Sequence, residues 1–261
     1  MANPAPILVL LGRSLGGLHV FGRGHRIYAG YLLVQACIVV LWWPKLTFTQ
    51  ALETHDGPDP LLAVVIAVAL SCTYFALRWG GEEIEFPGQV PMGDVRGNAL
   101  VGAVSPSVYI VLLFVSQLVQ SVFALALSLP IVLTALVVGG GTAESLAWGL
   151  LSILPLALFF RLSAALIAAL LAPHRPERYL ALRVYFFVLT IGIGFGLPDL
   201  SHVVFSFELF SRQTYVEDEH WYGIAPGPLF VGAYLFGSAA LTALLWARLS
   251  RRGFVEHAPG A

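Results

Sequence analysis

One arginine, Arg161, lies inside a long apolar stretch that covers residues 146–171. A charged side chain within a membrane-spanning segment is costly, so by default it marks a functional site such as a polar path between helices. Two interpretations of Arg161 carry equal weight. It lines a polar cavity or pairs with an acid from another helix. Alternatively, it extends its long stem to the aqueous interface, or the cytoplasmic part of its helix lies outside the lipid. We expect Arg161→Ala to abolish activity while the protein still inserts and assembles.

Metal chemistry has two weak candidates in the sequence. Residues 217–220 read Glu-Asp-Glu-His, and carboxylates with an imidazole suit divalent cations. A solvated external loop explains the same run and is the favoured interpretation. Asp199 and His202 are one helical turn apart, but two side chains are too few for a metal site. The prediction is that this chain holds no metal.

Motifs of common enzymes do not occur. The sequence contains neither a phosphate-binding loop of the form G-x-x-x-x-G-K-[ST] nor a G-x-S-x-G nucleophile elbow. Haem held by two histidines needs ligands at a suitable depth inside spans, and none of the seven histidines lies near the middle of an apolar stretch. We therefore predict no catalytic residue, no cofactor bound by this chain and no enzymatic activity of its own.

The composition indicates a protein whose surface faces lipid. Hydrophobic residues make up 58% of the chain and charged residues only 11%, whereas a soluble domain carries roughly 25% charged residues. The net charge of −1 argues against a nucleic-acid partner, which needs clustered basic residues. Cys37 and Cys72 each lie within an apolar run and are predicted to be small buried core residues.

Six apolar stretches are long enough to be spans, since a helix needs about 20 apolar residues to cross the hydrocarbon core. Runs this continuous are helices and not barrel strands, which alternate apolar and polar residues. The predicted fold is an all-α integral membrane protein with one transmembrane domain over residues 1–261 and a tail at 250–261. The predicted spans are 27–43, 61–77, 107–138, 146–171, 179–197 and 229–249.

Basic residues predict the orientation. If the N-terminus is cytoplasmic, eleven of the 14 lysines and arginines fall in cytoplasmic segments. The positive-inside rule then places both termini in the cytoplasm. We predict that the chain lies in the plasma (inner) membrane. The eleven are Arg13, Arg23, Arg26, Arg78, Arg96, Arg175, Arg178, Arg183, Arg248, Arg251 and Arg252.

Gly192 and Gly196 form a small-xxx-small pair in the fifth predicted span. Such a pair lets a second helix approach closely, because no side chain separates the two backbones. We predict a helix-packing face here.

The order of these segments resembles the permease subunit of type-2 ABC exporters. Residues 1–26, apolar and arginine-bearing after Asn3-Pro4, resemble the interfacial elbow helix of that family. Residues 93–107, which end in Ser-Pro-Ser, resemble its coupling helix between the second and third spans. Residues 198–228 resemble its partly re-entrant outer segment between spans five and six.

The resemblance implies a concrete assembly. The chain would be half of a permease dimer with a second copy or a homologue in the lipid bilayer. A separate ABC ATPase subunit would hold ATP and Mg²⁺. That subunit would dock on the acidic turn at Glu82-Glu83 and on the coupling segment, residues 93–107. Arg161 would lie on the translocation path. The predicted docking residues are Glu82, Glu83, Asp94, Arg96 and Asn98.

Two other classes of function remain open. A membrane anchor or assembly subunit of a larger complex, for example a respiratory one, fits the same apolar composition. An intramembrane enzyme fits less well, because the chain offers no catalytic set. A neighbouring gene for an ATPase favours the exporter, and neighbouring genes for redox subunits favour the anchor.

Overall fold

The computed structural model describes residues 24–42, 59–82, 106–139, 142–170, 184–185, 187–189, 196, 200–210 and 226–251. Within these ranges the secondary structure is helical and contains no strand. Six longer helices are described, which we label in chain order. They are α1 (Gly24–Leu41), α2 (Asp59–Glu82), α3 (Pro106–Gly139), α4 (Ala143–Leu170), α5 (His202–Phe210) and α6 (Pro226–Arg251).

Four of these helices, α2, α3, α4 and α6, are long and apolar enough to cross a membrane. Their apolar segments match four of the predicted spans closely. The prediction of a multi-pass helical membrane protein is therefore confirmed. The four segments are Pro60–Leu77, Pro106–Gly139, Ala143–Ile167 and Gly227–Ser250.

Six spans were predicted, and the described residues contain four helices that meet the length and hydropathy of a span. The apolar part of α1, Tyr28–Leu41, is shorter than the length of about 20 residues that a span needs. The fifth predicted span, 179–197, falls mostly outside the described residues. So do most of the predicted elbow (1–26) and almost all of the tail (250–261). The elbow, the count of six and the orientation of the termini stay predictions.

Helices α2 and α4 form the centre of the bundle. Their apolar segments are 56% and 61% buried, against 28% for α3 and 22% for α6. Val64, Val65 and Val68 of α2 pack with Ile153 and Leu156 of α4 in the main core cluster. The outward faces of α3 and α6 remain apolar, as expected of helices that contact lipid.

The connection between α3 and α4 is short, and α4 begins with a polar cap. The Oγ1 of Thr142 accepts a hydrogen bond from the backbone N–H of Ser145 at 3.1 Å. This is the role of an N-cap residue, which satisfies a donor that the first turn leaves free. Glu144 in the first turn places a negative charge at the positive end of the helix dipole, which further stabilises α4. The two spans therefore form an antiparallel hairpin.

Helix α5 is a short element packed inside the bundle. Its last residue, Phe210, contacts the region of Gly149 and Val65, near the start of α2 and α4. Its first residue, His202, borders a cavity with Leu156 and Phe160, near the middle of α4. The helix thus extends roughly 13 Å along the bundle, from the middle of α4 towards its beginning. It lies within residues 198–228, the stretch predicted to be partly re-entrant, and its insertion into a membrane stays a prediction.

The packing of α6 on α4 predicts a contrast between two glycines. A Cβ at Gly227 would lie 2.7 Å from Cδ2 of Trp148, whereas a Cβ at Gly232 meets nothing within 4 Å. We expect Gly227→Ala to destabilise the protein by about 1–3 kcal/mol, since overpacking forces the indole or the backbone to shift. Gly232→Ala on the same helix is the control and should be neutral or stabilising by up to about 1 kcal/mol. Thermal unfolding in detergent measures both, and equal melting temperatures would contradict this packing.

Candidate functional site

Five polar side chains lie in the apolar helix α3 and are almost completely buried. Each has an exposure of 3% or less. Their spacing places them on the side of α3 that packs against the other helices. Buried polar groups are costly unless they are hydrogen-bonded, so this stripe requires partners across the bundle. The five are Ser116, Gln117, Gln120, Ser121 and Ser128.

Arg161 of α4 supplies the partner for the two glutamines. Its side chain is fully buried, and its Nη1 donates a hydrogen bond to Oε1 of Gln117 at 2.9 Å. The same Nη1 donates to Oε1 of Gln120. Nε2 of Gln117 in turn donates to Oγ of Ser121 at 2.8 Å. Hydrogen bonds to a charged donor are about twice as strong as neutral ones, so this cluster ties α4 firmly to α3.

This placement bears on the two interpretations of Arg161. The guanidinium lies between helices and inside the Ala143–Ile167 segment of α4. It therefore does not extend to the aqueous interface. The arrangement agrees with a polar site between helices, with glutamine oxygens among the acceptors.

A second hydrogen-bonded group joins α1 to the same face of α3. Oγ of Ser128 accepts from the Tyr31 hydroxyl at 2.6 Å and from Nε2 of Gln35 at 3.0 Å. It donates to the backbone carbonyl of Ala124 at 2.8 Å. Because the Ser128 proton is engaged by that carbonyl, the two α1 side chains are the donors here.

The two groups border one cleft between α1, α2 and α3. Its volume is about 300 Å³ including the open mouth. Its enclosed part has room for roughly one water molecule. The walls combine amide, hydroxyl and thiol groups with aromatic rings, which suits binding of a polar group. The lining residues are Tyr28, Tyr31, Cys72, Phe75, Gln117, Gln120, Ser121 and Ala124.

Of the two cysteines, Cys72 is buried as predicted, but Cys37 is exposed on α1, so the prediction of a buried core residue is wrong there. Most of the other residues singled out in the sequence lie beyond what the structure describes. Glu82 is the last residue of α2. Gly196 is helical and exposed, and a Cβ there would meet no atom of the described residues within 4 Å. Its pairing with another helix stays a prediction. Outside the described residues are Glu83, Asp94, Arg96, Asn98, Gly192 and the acidic run at 217–220.

Gln117 and Gln120 were not singled out by the sequence analysis, although a signal was present. The run Ser-Gln-Leu-Val-Gln-Ser at 116–121 interrupts an otherwise apolar span. Two glutamines three residues apart share one helix face. A polar pair on one face of a span predicts a polar partner on a neighbouring helix, and Arg161 is that partner.

The described residues contain no group of three or more histidine, cysteine, aspartate or glutamate side chains placed to hold a metal ion. The site is therefore defined by its arginine, its glutamines and its hydroxyl groups.

No protein-family model, no curated protein and no solved structure matches the chain. The class of the protein follows from the fold and the site. It is a multi-pass α-helical membrane protein whose bundle encloses a hydrogen-bonded polar cluster around Arg161.

Proposed function

We propose that the chain is the permease subunit of an ATP-driven exporter of the type-2 ABC kind. It works as a dimer, and a separate subunit hydrolyses ATP. One observation supports a transport function best: a fully buried arginine is hydrogen-bonded to two glutamines that line a cleft between α1, α2 and α3. Ionisable residues inside membrane segments mark substrate and ion pathways.

A simple anchor has no need for this cluster. Taking a guanidinium out of water costs several kcal/mol, and apolar side chains of similar volume often replace buried ion networks without loss of stability. The cluster therefore adds cost to a bundle that only holds other subunits in place. A permease uses the same groups, because amides that bind Arg161 in one state are able to bind a polar substrate group in another.

The connectivity suggests how ATP hydrolysis reaches the cluster. The predicted docking segment, 93–106, connects α2 to α3. Helix α3 carries both glutamines, and Arg161 belongs to α4. A shift of α3 relative to α4 changes the distance from Gln117 and Gln120 to Arg161. Movement of the docking segment would thus change the hydrogen bonds of Arg161 and move the wall of the cleft that α3 contributes.

The test of the assembly is purification of this chain from its native membrane in a mild detergent, with mass spectrometry of whatever copurifies. A stoichiometric ATPase subunit with a phosphate-binding loop supports the exporter. Redox subunits in its place, without an ATPase, overturn the proposal and favour an anchor in a respiratory complex.

Charge reversal in the docking segment gives a sharper prediction. We expect Asp94→Arg combined with Arg96→Glu to lower recovery of the ATPase by about tenfold or more, since charge complementarity fixes such interfaces. Glu144→Arg is the control, because Glu144 is exposed in the first turn of α4, at the opposite end of the bundle. Equal ATPase recovery with both variants would place the docking surface elsewhere.

A further inference from the structure

Helix α1 is attached to the bundle by one narrow face. Among its described side chains Tyr31, Gln35 and Val39 are buried, and their spacing of four residues places them on the same side of the helix. Two of the three are polar, and Val39 alone among them joins the main core cluster. The opposite face is apolar and exposed, with Leu33 at 64% and Val40 at 73%. The attachment of α1 therefore depends to a large extent on hydrogen bonds.

The hydrogen bonds from the buried face of α1 converge on one atom. Tyr31 donates from its hydroxyl to Oγ of Ser128 at 2.6 Å, and Gln35 donates from Nε2 to the same oxygen at 3.0 Å. The Tyr31 ring adds an edge contact to Phe75 of α2, with the ring centroids 6.5 Å apart. A single serine of α3 thus holds two successive turns of α1.

The attached position of α1 leaves one polar atom unsatisfied. Oε1 of Gln35 is buried, and no residue that the structure describes forms a hydrogen bond with it. A buried acceptor without a donor costs free energy, because it has given up its hydrogen bonds to water without a replacement. Movement of α1 that brings this amide to a polar partner relieves the cost. Helix α1 is therefore held less firmly than its two hydrogen bonds to Ser128 suggest.

Tyr31 connects this attachment to the cleft between α1, α2 and α3. Its side chain lines the cleft, and its hydroxyl lies beside the thiol of Cys72. Tyr28 is the other lining residue that α1 contributes, and the remaining ones belong to α2 and α3. Helix α1 thus forms one whole wall of the cleft. Its displacement from Ser128 would remove that wall and uncover Cys72, which is 4% exposed in the attached position.

We propose that α1 is a movable wall, which detaches from Ser128 and opens the cleft on the side of α1. In the detached position Tyr31 and Gln35 exchange Ser128 for water, lipid headgroups or a polar ligand, since polar side chains in membranes readily find other partners. Each net hydrogen bond shifts such an equilibrium by about two- to tenfold, so two of them keep the detached position a minor but measurable one. This movement does not depend on the exporter proposal.

Distances between two spin labels test the movement on the full-length chain in lipid nanodiscs. Both native cysteines are replaced by alanine, and the labels are attached through Val34→Cys on α1 and Leu235→Cys on α6, two exposed positions. Pulsed electron paramagnetic resonance gives the distribution of distances. We expect a main distance and a minor longer one. Ser128→Ala should raise the ratio of longer to shorter distances by about tenfold or more, because both donors of α1 lose their acceptor.

Ser116→Ala is the matched control. Ser116 is a fully buried serine on the same helix, and like Ser128 it donates to a backbone carbonyl about one turn earlier, that of Leu113 at 3.1 Å. Within the described residues it forms no hydrogen bond with α1. Its substitution therefore removes a buried hydroxyl from α3 without releasing α1, and the distance ratio should stay within about twofold of that of the protein with Ser116 intact.

Alkylation of Cys72 is a second measurement, which the protein with Ser128 intact also answers. After Cys37→Ala, Cys72 is the only cysteine of the chain. A lipid-soluble maleimide should label it while size-exclusion chromatography shows that the protein stays folded, and Ser128→Ala should raise the rate by about tenfold. The proposal is overturned by an equal distance ratio in folded Ser128→Ala and Ser116→Ala. It is also overturned if Cys72 reacts only after the protein unfolds.

Discussion

Replacing Gln120 by leucine lowers the free energy of unfolding by about 2–4 kcal/mol, as a result of breaking one side of the Arg161 cluster. The substitution removes an acceptor from a guanidinium that is fully buried. Hydrogen bonds to charged groups contribute about 1.5–3 kcal/mol, and a weakened buried charge adds a desolvation cost. In a chain of this size the melting temperature falls by about 4–15 °C.

A double-mutant cycle shows whether the loss comes from the arginine. Arg161→Met removes the charge and leaves an apolar side chain of similar length, so Gln120→Leu on that background should cost less than about 1 kcal/mol. The equivalent polar-to-apolar change at an exposed site of the same helix, Thr134→Leu, is the control and should be nearly neutral. If Gln120→Leu is equally destabilising with and without Arg161, the hydrogen bond between them is not the cause.

The second large effect concerns function. We expect Arg161→Ala to reduce the ATP turnover of the proposed exporter complex by about tenfold or more, counted per complex that still assembles, because loss of the cluster also destabilises the bundle. The reason is the position of the guanidinium between α3 and α4, where the proposed movement of α3 changes its hydrogen bonds to Gln117 and Gln120. ATP hydrolysis by the reconstituted complex measures this directly.

Two further substitutions interpret that result. Arg161→Lys keeps the charge but loses the planar fork that reaches two acceptors, so it should recover only part of the activity. Arg248→Ala is the control for loss of an arginine outside the cluster, since Arg248 lies in the last turns of α6. Its ATP turnover should stay within about twofold of the unmodified protein. Full turnover with Arg161→Ala would assign the arginine a structural role only.

The agreement between sequence and structure is greatest for the spans. Predicted span 61–77 corresponds to Pro60–Leu77, and predicted span 107–138 corresponds to Pro106–Gly139. The physical reason is local. A helix in lipid satisfies its own backbone hydrogen bonds, so its existence and approximate length depend on an uninterrupted apolar run and not on its neighbours.

His202 is an instructive difference. In the sequence it belongs to the long connection before the last span, and its depth in the bundle could not be predicted. The structure buries it beside Phe230 and Leu156, near the middle of α4. The depth of a short helix in the bundle depends on what it packs against. A nine-residue segment such as α5 is too short for its length to indicate that depth.

The sequence by itself determined that this is a helical protein of the membrane, where four of its spans lie, and that Arg161 is unusual among apolar neighbours. The tertiary structure alone decided what Arg161 contacts. Gln117 and Gln120 are 44 and 41 residues away in the chain. Whether three such side chains meet depends on the rotation and the relative depth of α3 and α4. Hydropathy indicates neither the rotation nor the relative depth of the two helices, because both depend on how two complete helix surfaces pack.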